Sequence, residues 1–122
     1  MTRKSTGILG EELANHFLIE RGYSIVEKNY RTREGEIDII TTKDGFLVFV
    51  EVRTKRSSLF GTPEESITAK KMEHLRAAAN KYRDTHENLP SSWRIDVVCI
   101  ELNALGQAKR IEIIENAVED EY

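Results

Sequence analysis

Residues 35–55 read GEIDIITTKDGFLVFVEVRTK, and this stretch decides the fold. Two runs rich in Ile, Val, Leu and Phe flank Asp44-Gly45, a dipeptide typical of the two-residue turn of a β-hairpin. With these two residues as the turn, Lys43 lies opposite Phe46. The stretch therefore predicts a hairpin whose register is set by its own turn.

The register assigns the side chains of the hairpin to two faces, because successive side chains of a strand alternate. Continued from the turn, it places Asp38 opposite Glu51 and Glu36 opposite Arg53. One predicted face is apolar near the turn and ionic at its far end, with Glu36, Asp38, Ile40, Leu47, Phe49, Glu51 and Arg53. The other predicted face is entirely apolar, with Ile37, Ile39, Val48, Val50 and Val52.

Asp38 and Glu51 are the unusual pair in this hairpin. Directly opposed side chains have Cβ atoms only ~4.5 to 5.5 Å apart, so two like charges there destabilise a sheet. Such a pair shares either a proton or a cation, and carboxylate oxygens with water suit Mg²⁺ or Mn²⁺. Each acid is flanked by β-branched residues, which is typical of a buried strand. We therefore favour a functional role for this pair, whereas an ordinary ion pair is the favoured interpretation of Glu36 with Arg53.

The rest of the sequence predicts an α/β sheet flanked by helices. Apolar residues at helical spacing predict a helix over residues 6–21, which Gly22 ends. A second helix lies between Pro63 and His86 and begins either at Pro63 or at Thr68. Its buried stripe is predicted to be Met72, Leu75, Ala79 and Tyr82. Further strands are predicted at residues 23–30, 93–102 and 109–115, so the order is helix, three strands, helix, two strands.

Composition indicates one globular domain and excludes several classes of protein. The 122 residues are 39% hydrophobic and 32% charged, with no apolar run near the ~18 residues of a membrane span. We assign residues 1–110 to one domain and residues 111–122 to a last strand and an acidic tail. The absence of a signal peptide and the single cysteine, Cys99, predict a cytoplasmic protein with no membrane partner. Residues 1–110 hold all 18 basic residues against 16 of the 21 acidic ones, so the body is mildly basic although the net charge is −3.

Asp96 interrupts the apolar strand predicted at residues 93–102. It either forms hydrogen bonds locally or supports the hairpin acids from the neighbouring strand. We favour the structural role, because buried polar groups are normally hydrogen-bonded.

Asp38 followed by Glu51-Val52-Arg53 resembles the signature of the restriction-endonuclease-like, or PD-(D/E)xK, superfamily. Further strings agree with this resemblance, namely GEELA at residues 10–14, GEIDII, FVEVR, Phe60-Gly61, the helix from Lys71 to Tyr82, and RIDVVCI at residues 94–100. As a set they resemble the YraN-type uncharacterised bacterial family, which is similar to archaeal Holliday-junction resolvases. The resemblance covers roughly residues 7–101 and implies an α-β-β-β-α-β core with a mixed central sheet.

The resemblance also implies roles for individual residues. Asp38 and Glu51 would bind the divalent ion, and Arg53 would stand where the superfamily has a lysine. An acid of the first helix joins many such sites, and Glu11 is favoured over Glu12, with plain helix-surface charge as the alternative for both. Because arginine keeps its proton, Arg53 can hold phosphate and stabilise charge but cannot act as a general base.

Basic residues bracket the hairpin. Arg31 and Arg33 precede it, Lys55 and Arg56 follow it, and Lys71 matches the family pattern on the second helix. Together they form either a groove that tracks the phosphates of a nucleic acid or an ordinary solvated surface.

Three functions are compatible with these features. The favoured one is a Mg²⁺- or Mn²⁺-dependent nuclease or nuclease-like protein that binds DNA, branched DNA included, and hydrolyses phosphodiester bonds. The first alternative is a nucleic-acid-binding module with a degenerate nuclease site, which Arg53 in the lysine position favours. The second is a protein-interaction scaffold without nucleic-acid affinity. The resolvase resemblance also suggests a homodimer, although no residue locates its interface.

Overall fold

The structure is a computed structural model that describes residues 2–56 and 61–117. These residues form two α-helices and five strands: α1 (Arg3–Glu20), β1 (Ser24–Arg31), β2 (Glu36–Lys43), β3 (Phe46–Lys55), α2 (Ala69–Thr85), β4 (Ser92–Leu102) and β5 (Ala108–Ile114). The sheet order is β1-β2-β3-β4-β5, with β3 and β4 parallel and all other neighbours antiparallel. The predicted α/β class, element order and mixed sheet are confirmed. Neither helix has the length and apolarity needed to cross a membrane.

The strands β2 and β3 form the predicted hairpin. Asp44 and Gly45 have φ angles of 49° and 83°, and a type I′ turn requires positive φ at both positions. The ladder begins with Lys43 opposite Phe46 and keeps the predicted register for five pairs. The turn therefore determines which residues face each other near the tip.

A capping box determines the start of α1. Thr2 and Ser5 exchange side-chain and backbone hydrogen bonds, so the helix begins at Arg3, three residues earlier than predicted. Gly22, with φ of 89°, follows the helix as predicted.

The helix α2 begins at the later of its two predicted starts. The Thr68 hydroxyl accepts the Lys71 N–H at 3.2 Å and caps the helix. The earlier candidate start forms a separate 3₁₀ turn, Glu64–Ser66, because Ile67 has extended backbone and interrupts the helical path.

A hydrophobic layer lies on each face of the sheet. The layer under α1 consists of Ala14, Leu18, Tyr23, Ile39, Val48, Val50, Val52, Val98, Ile100 and Leu102. The layer under α2 consists of Ile37, Ile40, Leu47, Phe49, Leu75, Ala78, Ala79, Tyr82 and Ile95. Strand β4 contributes to both layers, as predicted for a central strand.

Two predictions about the far end of the hairpin are wrong. Ile37, predicted to share a face with Ile39, packs in the layer under α2. Glu36, predicted to face Arg53, forms an exposed ion pair with Arg31 at 3.2 Å. Both residues lie beyond Ile39, where the β2–β3 ladder has ended and β2 remains paired only with β1, so the register set by the turn no longer applies to them.

Asp96 has the structural role that the sequence favoured. It is fully buried. Its carboxylate accepts hydrogen bonds from the Tyr23 hydroxyl at 2.8 Å, the Arg94 Nε at 3.0 Å and the Asn116 backbone N–H at 2.8 Å. These bonds tie β4 to the segment before β1 and to the segment after β5.

Candidate functional site

The strands β2 and β3 separate at Asp38. The ladder's last pair is Ile39 with Val50. If the alternation of an antiparallel ladder continued, the Val52 N–H would donate to the Ile37 carbonyl. It donates instead to the Asp38 Oδ2 at 2.7 Å. The Asp38 carboxyl therefore lies in the fork between the strands, where it replaces a backbone acceptor.

Three carboxyl groups meet at this fork. Asp38 on β2 lies within hydrogen-bonding range of Glu51 on β3, and Glu11 on α1 lies within the same range of Asp38. We call Glu11, Asp38 and Glu51 the carboxyl cluster. It brings together the three acids that the sequence selected, and it does so with one acid from each of three elements.

Burial and mutual repulsion alter the acidity of this cluster. Burial raises the pKa of Asp38 to about 8, with the hydrogen bond and charge of Glu51 adding to the rise and the Val52 N–H opposing it. Burial also raises the pKa of Glu11, and the Asp38 charge adds to that rise. The raised pKa of Asp38 therefore favours a proton shared within the carboxyl cluster.

A close approach of α1 to β3 places Glu11 in the cluster. A Cβ atom added to Gly10 would come within 2.0 Å of the Thr54 Oγ1, so only glycine fits where the helix crosses the strand. The following residue, Glu11, is partly buried beside Asp38, whereas Glu12 is exposed. The contact supports the choice of Glu11 over Glu12.

Two cations stand beside the carboxyl cluster. Arg53 follows Glu51 by two positions on β3 and donates its Nε–H to the Ser66 Oγ at 2.8 Å. Lys71, in the first turn of α2, is partly buried. Burial lowers the pKa of Lys71, the Arg53 charge lowers it further, and the charges of Glu51 and Asp38 oppose both effects. Arg53 and Lys71, here called the basic pair, therefore lie within electrostatic range of the acids.

The carboxyl cluster and the basic pair line one open cleft of about 1290 Å³. Its acidic lining residues are Glu11, Glu36, Asp38 and Glu51. Its basic lining residues are Arg3, Lys4, Arg31, Arg53, Lys55, Arg56 and Lys71. Positive charge therefore predominates in the cleft of a chain whose net charge is −3.

The cleft includes four of the five basic residues proposed to bind nucleic acid. Arg33 differs from them, since it is exposed on the turn between β1 and β2 and does not line the cleft. One of the sequence strings that resemble the family, Phe60-Gly61, is described only at Gly61, because Phe60 lies outside the described residues.

Several residues that line the cleft were not selected from the sequence, among them Arg3, Lys4 and Asn29. Arg3 and Lys4 belong to the first turn of α1, which the apolar stripe of that helix does not reach. Asn29 lines the cleft with φ of 54°, a left-handed conformation within β1. Asparagine tolerates this conformation, but that tolerance does not by itself predict a site.

The donor atoms at the fork suit a hard divalent cation. Mg²⁺ is commonly held by one or two carboxylates and several waters, and two adjacent carboxylates that otherwise share a proton gain from a cation between them. Asp38 and Glu51 are this pair. In the described part of the chain, no three His, Cys, Asp or Glu side chains are grouped around one point that could hold a metal ion. The described residues therefore offer Asp38 and Glu51 as the carboxylate pair, with Glu11 beside Asp38.

The raised pKa of Asp38 predicts a decline in stability with pH. Its folded-state value of about 8 exceeds the ordinary 3.8, so the folded protein binds more protons than the unfolded chain between these values. The free energy of unfolding should therefore fall as pH rises from about 4 to about 8. Urea denaturation at pH 6 and pH 9 measures this fall.

Two variants isolate the contribution of Asp38. Asp38→Asn should flatten the fall, because asparagine imitates the protonated acid. Asp44→Asn should keep it, since Asp44 is exposed at the hairpin turn and asparagine suits its positive φ. Parallel profiles for wild type and Asp38→Asn would contradict the prediction.

Comparison with known proteins identifies the family. The model of the Uncharacterised protein family UPF0102 matches residues 10–100. A UPF0102 protein of Dehalococcoides mccartyi is 44% identical over 119 residues, covering 98% of this chain and 97% of the relative. A UPF0102 protein of Roseiflexus castenholzii is 45% identical over 120 residues, covering 97% and 96%. The matched residues include the carboxyl cluster, Arg53 and Lys71, and the chain belongs to the UPF0102 family.

Proposed function

We propose that this protein is a divalent-metal-dependent, nuclease-like protein that binds DNA in its cleft and hydrolyses phosphodiester bonds. We place this activity in the cytoplasm, where the single, buried Cys99 stays reduced. The observation that carries the proposal is the carboxyl cluster at the strand fork, with Arg53 and Lys71 beside it in a cleft of mainly basic residues.

The surroundings of the cluster favour this chemistry over a structural role. A purely structural acid pair is normally neutralised by a nearby base within the core. Here Asp38 and Glu51 instead lie next to each other and open onto a cleft, and burial together with the proximity of Glu51 raises the pKa of Asp38. Acids with raised pKa values that open onto a cleft are typical of sites for ligand binding and catalysis.

Each group has a defined part in the proposed hydrolysis. Asp38 and Glu51 would hold Mg²⁺ or Mn²⁺, which supplies Lewis-acid stabilisation of the phosphate when bound. Arg53 and Lys71 would contact phosphate oxygens and counter the negative charge that grows on them. Glu11 does not belong to the carboxylate pair that would hold the metal ion. Its raised pKa suits it to take the proton of the attacking water.

A non-catalytic DNA-binding module is the second candidate. Arg53 occupies the position of the usual lysine, and among the described residues no group of three His, Cys, Asp or Glu side chains could hold a metal ion. Both features weaken catalysis more than phosphate binding, because binding depends mainly on the basic lining.

A cleavage and binding panel separates these functions. Single-stranded, duplex, flapped and four-way DNA would be incubated with Mg²⁺, with Mn²⁺ or with a chelator. We expect wild type to cleave at least one substrate only with metal, and Asp38→Asn to cleave it at least about 100-fold more slowly while it still binds. Asp44→Asn is the matched control and should resemble wild type.

The panel gives a distinct result for each function. Binding that weakens steeply with salt, without cleavage of any substrate, would identify the non-catalytic module. A folded protein that neither binds nor cleaves any of these DNAs would refute both functions and leave the protein-interaction scaffold.

A further inference from the structure

A short segment, residues 61–67, contacts both the candidate site at Arg53 and the strand β5 at Arg110. We call it the strap. It contains the 3₁₀ turn Glu64–Ser66 and leads into Thr68, the cap of α2. The strap contacts the sheet at two places, one at Arg53 and the other at Arg110.

At the first contact, Ser66 orients Arg53. The Ser66 hydroxyl donates its hydrogen to the Pro63 carbonyl within the strap. Its lone pairs therefore face Arg53, whose Nε–H donates to the Ser66 Oγ at 2.8 Å. A hydroxyl whose own hydrogen is already engaged is a directional acceptor for a charged donor.

At the second contact, Glu64 anchors the strap to β5. The Arg110 Nη1 and Nη2 donate to the two carboxylate oxygens of Glu64 at 2.8 and 2.9 Å, a bidentate pair. Arg110 also pairs with Glu101 on β4 at 3.2 Å and with Glu112 on β5 at 3.0 Å. Arg110 thus joins the strap to two strands.

The geometry of the guanidinium connects these contacts to the site. Its five N–H donors lie in one plane, so fixing Nε fixes the direction of both Nη groups. Arg53 lines the cleft, and among the described residues its Nη groups have no hydrogen-bond partner. A lysine could not do this, because one ammonium rotates freely about its stem.

We infer that Ser66 is a positioning residue that holds the Nη groups of Arg53 toward the cleft, where they bind a phosphodiester group of the nucleic-acid backbone. The inference rests on the proposed function and deepens it. It also gives a physical reason for an arginine at this position, because an oriented guanidinium presents both Nη groups to a phosphate, whereas the ammonium of a lysine is mobile. The anchor from Arg110 through Glu64 keeps the strap, and with it the Ser66 hydroxyl, in register with β3.

The first test measures the hydrogen bond between Arg53 and Ser66 in the absence of nucleic acid. In ¹⁵N-labelled wild type, the Arg53 Nε–H resonance, assigned by its loss in Arg53→Lys, should exchange slowly with water. In Ser66→Ala it should exchange at least tenfold faster, and in Ser66→Thr, which keeps a hydroxyl, it should stay slow. Unchanged exchange in Ser66→Ala would overturn the inference.

The second test measures phosphate binding by a double-mutant cycle. Affinity for single-stranded DNA would be measured without metal, in wild type and in Arg53→Ala, each with and without Ser66→Ala. We expect Ser66→Ala to weaken binding about three- to tenfold in wild type, the value of one ordinary hydrogen bond, and to have no effect in Arg53→Ala. Ser91→Ala, an exposed serine outside the cleft, is the matched control and should leave affinity unchanged.

The two tests separate this inference from the proposed function. An equal loss in both backgrounds would overturn the positioning role while DNA binding stands. Wild type that binds no DNA would refute the proposed function, and the Nε–H exchange would then decide whether Ser66 orients Arg53.

Discussion

Asp96→Ala is expected to lower the free energy of unfolding by about 3 to 5 kcal/mol. The substitution removes the carboxylate that pairs with Arg94, whose side chain is only 15% exposed, and leaves that charge poorly solvated. It also removes the acceptor of the Tyr23 hydroxyl and the Asn116 N–H. Because domains of this size are stable by only about 5 to 15 kcal/mol, the variant should lie close to unfolding.

Equilibrium denaturation in urea, followed by circular dichroism, measures this loss. Asp84→Ala is the matched control, since Asp84 is exposed on α2 and its loss should change stability by about 0.5 kcal/mol or less. A loss below about 1 kcal/mol in Asp96→Ala would show that the buried network contributes little.

Arg53→Ala is expected to slow metal-dependent DNA cleavage by about 10²- to 10³-fold. The prediction rests on the proposed function. The substitution removes preorganised donors at the place where negative charge grows on the phosphate, and the folded core should be unaffected because Arg53 lines the open cleft. Single-turnover cleavage of the best substrate measures the chemical step without product release.

Arg53→Lys distinguishes charge from geometry at this position. Lysine restores the positive charge. Ser66 cannot orient its freely rotating ammonium, however, in the way that it orients the planar guanidinium of arginine with two donors left for phosphate. Its rate should therefore lie between those of wild type and Arg53→Ala. Cleavage by Arg53→Ala at the wild-type rate would contradict the role of Arg53.

The fold near the hairpin tip was predictable because its causes are local. Asp44-Gly45 selects the turn, and the turn sets the register of the five pairs that follow. The alternation of Ile, Val, Leu and Phe along β2 and β3 then separates two layers. The start of α2 was less predictable, since Thr62 and Thr68 are both capable caps, and the structure uses Thr62 for the 3₁₀ turn and Thr68 for the helix.

The far end of the hairpin was not predictable in the same way. Extending the register past Ile39 led to the wrong face for Ile37 and the wrong partner for Glu36. The ladder stops there because the Asp38 side chain takes a backbone donor, and alternation along a strand carries no signal for such a substitution. The departure from the pattern lies at the candidate site itself, where local rules are commonly broken.

Residue types and their spacing along the chain were enough to select Asp38, Glu51, Arg53 and a helix acid. The hairpin pairing and each motif of the family resemblance involve residues that are close together in the sequence. Tertiary packing decided the rest. Contact between Gly10 and Thr54 placed Glu11 beside Asp38, and the fold of α1 brought Arg3 and Lys4 to the cleft. These choices depend on groups far apart in the chain, so only the packed structure brings them within hydrogen-bonding and electrostatic range.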